Sequence, residues 1–206
     1  MIRCNLDMLN RINNFFLKVR RLWHRHGFGV QSPSAYSFIR DVIEGTYPYY
    51  DYSDLKVRFP NVNNRSRKLA KLYFRIANIR QPKLWVSCQS LSEIYSCYIQ
   101  SGCKHTHILN IDLETDNSET FDQLKGFDVA CITLSEKSFL VCDKLLDFAD
   151  QYSILIIERI HSNSENRNYW NHIVTNSLTC VTFDLYYCGI VFFDHTKSKQ
   201  NHIVNF

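Results

Sequence analysis

Two rhythms divide the chain. Up to residue 82, apolar positions recur at steps of three and four, the spacing of amphipathic helices. Leu6, Leu9, Ile12, Phe16, Val19 and Trp23 predict a helix over residues 5–24. A Gly/Pro-punctuated loop follows, from His26 to Pro33. Ser34 or Ser37 is expected to start a second helix carrying Tyr36, Phe38, Ile39, Val42 and Ile43, with Gly45 as its C-cap. Tyr47 to Tyr52 reads as an aromatic turn whose rings pack over the edge of the domain. Leu69, Leu72, Tyr73 and Ile76 predict a further helix over 61–79.

From residue 83 the rhythm changes to short apolar runs alternating with helical stretches, the pattern of a mostly parallel sheet. Strands are predicted at Lys83–Cys88, Thr106–Ile111, Phe127–Thr133 and Ser153–Glu158, the last apolar throughout and therefore central. Helices are predicted over Glu93–Gln100, 136–150 and Glu165–Thr175, with a short connector at 117–125. Thr179–Asp184 and Tyr187–Phe193 read as a closing antiparallel pair, with His202–Phe206 as a possible edge segment. The expected organisation is one compact α/β unit over 83–206, carrying a helical N-terminal cap region over 1–82.

Composition narrows the class. With 206 residues, the chain is long enough for one sizeable core and short for two. The net charge of +4 is too mild to imply nucleic acid by itself. A basic helical face does stand at Arg65, Arg67, Lys68, Lys71 and Arg75, and a phosphate-contacting role for it is the weakest of the functional readings. Eight cysteines form no C-x-x-C pair, and several sit within apolar runs, which suits reduced buried thiols in a cytoplasmic protein. The sequence shows neither a signal peptide pattern nor an apolar stretch of membrane-spanning length.

Candidate chemistry gathers where strands turn into helices. The exit of the first strand, Cys88-Gln89-Ser90-Leu91-Ser92, puts free N–H groups and a partial positive charge at one point, the usual place for a nucleotide-like ligand. Such loops normally rely on glycine, and this one has none. Cys88 is a possible nucleophile there, or a small residue filling a collapsed pocket. Glu158 and His161 stand at the exit of the fourth predicted strand and can act as base or ligand, or else as an ion pair with Arg159 or Arg167 and a histidine satisfied by a helix start. His24/His26 and His105/His107 lack the companion ligands a zinc site needs, so no metal is expected.

The first and last thirds resemble a group of class I S-adenosylmethionine-dependent methyltransferases found in Bacteroidetes-type bacteria. The matching residues are His26 to Pro33, Tyr36 to Ile39 and Tyr49-Tyr50, against H-G-V-H-S-P, F-x-F-I and Y-Y in that family. Near the C-terminus they are Ile160-His161, Glu165, Trp170, Asp184 to Tyr187, Gly189 to Phe193 and Lys199-Gln200. The resemblance implies a Rossmann-like sheet and S-adenosylmethionine as cofactor. By the same likeness, Cys88, Ser90 and Ser92 would face its methionine end, and Asp112 would hold its ribose. The departures fall on the chemistry. The family's E-x-G-x-S-x-G reads Val86, Cys88, Ser90 and Ser92 here, so the acid and both glycines are gone. Only a short stretch separates Asp112 from Phe127, so one edge strand is expected to be missing. The acidic pair before Ile160-His161 is Glu158 and Arg159. These changes suit a degenerate, non-catalytic relative; the alternative is an active methyltransferase on an unknown small acceptor. A partner would be an unknown small molecule or protein, and nucleic acid is not expected.

Overall fold

The computed structural model describes residues 32–89, 91–111, 122 and 124–206. The predicted helix over 5–24 and most of the loop from His26 lie outside the described residues, as do Ser90, Asp112 and most of the connector at 117–125.

Seven strands form one sheet: β1 (Leu84–Cys88), β2 (His107–Ile111), β3 (Val129–Thr133), β4 (Ile154–Glu158), β5 (Val181–Asp184), β6 (Cys188–Phe192) and β7 (Gln200–Ile203). Their order is β2-β1-β3-β4-β6-β5-β7. The first four run parallel, β6 lies antiparallel to both β4 and β5, and β7 is parallel to β5. This is the Rossmann-like, mostly parallel sheet with a closing antiparallel pair that the sequence predicts. Among the described residues β2 is the edge strand on its side of the sheet. Most of the stretch between Asp112 and Phe127, on which the expected loss of an edge strand rests, lies outside the described residues. The central strands β1, β3 and β4 are buried along nearly their whole length, as strands covered on both faces must be.

Helices cover both faces. On one side lie α1 (Pro33–Phe38, continuing as a π-helical turn through Ile39–Ile43), α2 (Asp51–Arg58), α3 (Asn64–Arg80) and α4 (Glu93–Gly102). Leu72, Tyr73 and Ile76 of α3 share one core with Ile39, Trp85, Ile154 and Ile190. On the other side, α5 (Phe139–Phe148) and α6 (Ser164–Thr175) bury Leu145, Trp170 and Ile173 against Val86, Ala130 and Leu155. Trp170 is packed so closely over β6 that only glycine fits at Gly189: a Cβ there would collide with the indole ring.

Several local expectations are corrected. The Tyr47–Tyr52 stretch leads directly into α2, a helix the apolar spacing did not reveal because Leu55 is its single buried residue. Tyr49 and Tyr52 do pack against Phe74, with ring centroids 4.7 and 5.0 Å away, whereas Tyr50 is 95% exposed. The helix expected over 136–150 begins as a 3₁₀ turn at Glu136–Ser138, where Ser135 and Ser138 cap each other. No helix among the described residues is long and apolar enough to cross a membrane.

A candidate ligand cleft at the strand ends

The carboxyl ends of β1, β3 and β4 meet at one edge of the sheet, and register places Thr133 beside Glu158 and Cys88 beside Ile132. At the exit of β1 the chain turns through Gln89, whose φ of 143° belongs to the region that glycine occupies without strain. Two hydrogen bonds hold it there. Ser87 Oγ donates to the Gln89 carbonyl over 2.8 Å, and Gln89 Nε2 donates across the strand tips to the Thr133 carbonyl over 3.1 Å. Ser92 then caps α4 in an extended conformation, its carbonyl accepting from the Tyr95 and Ser96 N–H groups. The cavity left between these tips measures about 130 Å³, and Cys88, Gln89, Ser92, Tyr95, Thr133 and Glu158 line it.

Cys88 is fully buried. Burial pushes its thiol far above the ordinary range, with Cys131 and Cys142 adding to the effect, which favours the space-filling role over the nucleophilic one. Cys131, behind it, is pushed up to about 11, mainly by burial. The seven described cysteines are all free.

Glu158 is largely enclosed at the end of β4. Its partner is neither Arg159 nor Arg167, as the sequence suggested, but Tyr73 of α3: the phenol donates to Glu158 Oε1 over 2.5 Å. Burial holds the Glu158 carboxyl above its usual range, opposed by the Tyr73 hydrogen bond and by the nearby positive charges of Arg65 and Arg159. Tyr73 itself is held protonated, chiefly by its complete burial.

On the far side of Glu158 and Tyr95 opens a second cavity of about 340 Å³. Its wall is built by Arg65, Lys68, Arg159, Tyr187 and Phe206, together with Asn63 at the start of α3. Glu158 and Tyr95 are common to both cavities.

His161 is not part of this arrangement. Its Nε2 lies 2.7 Å from Asp184 Oδ2, and its ring stacks on Tyr186 at 5.6 Å, so it ties the exit of β4 to the turn between β5 and β6. Neither cavity is lined by it.

The basic residues of α3 do not form one stripe. Arg65 and Lys68 face the second cavity. Arg67 donates to the Phe59 carbonyl, and Lys71 sits 4.7 Å over the Tyr52 ring. Arg75 is 4% exposed and is spent on the Val42 and Ile43 carbonyls. A phosphate-binding row made of all five is therefore not available. Among the described residues, no group of three or more His, Cys, Asp or Glu side chains is placed to hold a metal ion.

Sequence reasoning missed Gln89, Tyr73 and Tyr95. Tyr73 was legible only as one member of an apolar stripe, and a hydroxyl on such a stripe is the one signal that it needs a buried acceptor.

No protein family matches the chain, and no curated protein does. Solved structures that resemble it include methyltransferases. A methyltransferase from Geobacter sulfurreducens is 13% identical, with 74% of this chain and 94% of that chain covered and a TM-score of 0.48. A putative O-methyltransferase from Klebsiella pneumoniae is 8% identical, with 74% and 94% covered and a TM-score of 0.49. The O-methyltransferase from Bacillus cereus, solved in complex with SAH, is 9% identical, with 76% and 96% covered and a TM-score of 0.46. Likenesses this distant assign no activity to the chain.

Proposed function

We propose that this chain is a methyltransferase-like protein whose S-adenosylmethionine cleft is closed by its own side chains, and that it serves as a binding module without transferring methyl groups. The observation that carries this reading is the Gln89 bridge. A strained, non-glycine residue spans the tips of β1 and β3 and bonds to the Thr133 carbonyl, where a cofactor would need to lie against bare backbone. Supporting it, Val86, which stands at the position of the family's acid, is buried and apolar, and so offers no carboxylate to a cofactor. The remaining space of about 130 Å³ is below the ~300 Å³ at which ligand pockets ordinarily begin.

The alternative, an active methyltransferase on a small acceptor, draws on Glu158. A carboxyl raised by burial and facing both cavities is the kind of group that takes a proton from an acceptor hydroxyl.

Thermal unfolding with and without S-adenosylmethionine separates the two. A ligand present at a hundred times its dissociation constant stabilises the native state by about 2.7 kcal/mol. The closed-cleft reading expects no rise in melting temperature at millimolar cofactor. A rise of several degrees, together with label transfer from methyl-labelled cofactor that is lost in Glu158→Gln, would establish the alternative.

A further inference from the structure

The second cavity has a cluster of positive charge that the described ion pairs do not neutralise. Arg65, Lys68 and Arg159 converge on it, and among the described residues none of the three forms an ion pair or donates a side-chain hydrogen bond. Among the described residues Glu158 is the single acid in the lining, and its carboxylate already accepts from Tyr73. With Glu158 ionised the lining still carries two net positive charges. Like charges gathered on a concave, partly desolvated surface repel, and an anion is what relieves them.

The cations are also held in place beforehand. The Arg65 guanidinium lies 4.1 Å over the Tyr187 ring and the Lys68 ammonium 4.5 Å over the Phe206 ring. Such contacts fix a long side chain while leaving its N–H groups available to a ligand. Arg159 is kept at φ 64°, a conformation that favours glycine, with its own N–H donated to the Tyr187 carbonyl over 2.7 Å. Backbone geometry alone would prefer glycine there, so an arginine at this position carries a cost in strain. The first turn of α3, through Asn63 and Ser66, adds the partial positive charge of a helix start to the same wall.

We propose that this cavity binds a small phosphate monoester bearing a planar ring, with the phosphate gripped by Arg65, Lys68 and Arg159 and the ring laid against the aromatic wall that includes Tyr95. A dianion matches the two net charges of the lining, which a single carboxylate would not. The cavity of about 340 Å³ falls at the lower end of the ~300–1,000 Å³ range of small-molecule sites. The site stands whether the donor cleft is closed or open.

Phenyl phosphate is a suitable probe because it shares nothing with an adenosyl donor. It is titrated calorimetrically into the full chain beside phenol, inorganic phosphate and a mixed-sequence DNA duplex. Phenyl phosphate is expected to bind about tenfold or more tightly than phenol or inorganic phosphate, and to weaken as salt is raised. Arg65→Ala and Lys68→Ala should each weaken it about fivefold or more without moving the melting temperature. Arg159→Gly should weaken it while keeping or raising that temperature. Absence of saturable binding at millimolar phenyl phosphate, or equal binding in the variants, overturns the proposal. Inorganic phosphate binding equally well overturns the part assigned to the ring. Tighter binding of the duplex through the same three residues would make the surface a nucleic-acid contact instead.

Discussion

Tyr73, midway along α3, donates its phenolic hydrogen to Glu158 at the end of β4 over 2.5 Å, joining residues 85 positions apart in the chain. That bond ties the helical layer to the carboxyl ends of the strands, and it opposes the burial that raises the one acid common to both cavities.

The Glu158 carboxyl is held above its ordinary range, chiefly by burial, so it ionises less readily in the folded chain than in the unfolded one. Its contribution to stability is complete below the ordinary carboxyl range and is lost as pH rises through the elevated folded value. Glu158→Gln keeps an acceptor for Tyr73 and removes the titration. Urea unfolding from pH 4 to pH 8 should show the variant gaining on the wild type as pH rises. A constant difference across that range would contradict the burial of the acid. Tyr73→Phe leaves the carboxylate without its donor and should cost about 1–3 kcal/mol at pH 7.

Gln89 makes a second, conformational prediction. Gln89→Gly loses the bond to Thr133 but relieves a strain of roughly 1–3 kcal/mol, so its net change in stability should be small. Gln89→Ala loses the same bond and keeps the strain. Chemical denaturation should rank the alanine variant below the glycine variant by about 1 kcal/mol or more. Equal stabilities would mean that the turn is relaxed.

Arg75 and Arg65 stand nearly three turns apart on the same helix with opposite duties. Arg75→Ala would leave the buried Val42 and Ile43 carbonyls without their donor, and should cost about 1–3 kcal/mol or more by thermal unfolding. Arg65→Ala, on the exposed side, should fall within about 0.5 kcal/mol of the wild type.

At the Trp170–Gly189 contact, Gly189→Ala drives a methyl group into the indole ring. Overpacking of this kind should lower stability by about 1–3 kcal/mol, read as a fall in melting temperature. No loss would mean that α6 can move off the sheet at little cost.

The sheet was legible because its central strands are unbroken apolar runs, and Ile154–Glu158 could be read as central from that alone. The antiparallel turn between Asp184 and Cys188 was legible for the same reason, with apolar runs on either side. What could not be read were contacts that join distant positions. No periodicity announces that Tyr73 will meet Glu158, or that Arg75 will turn inward while Arg65 faces a cavity, since both arginines sit in the same basic pattern. Gln89 escaped notice because a missing glycine signals a departure from a loop type without saying which residue will take the strained conformation. The α2 helix was hidden by its exposure: one buried leucine gives no stripe to count.

The closed donor cleft is tested most directly by calorimetric titration of S-adenosylhomocysteine, the demethylated product, into the full chain at neutral pH. No saturable heat is expected up to millimolar ligand. A clean isotherm with a micromolar dissociation constant would show that the space beside Gln89 and Thr133 opens to a cofactor after all.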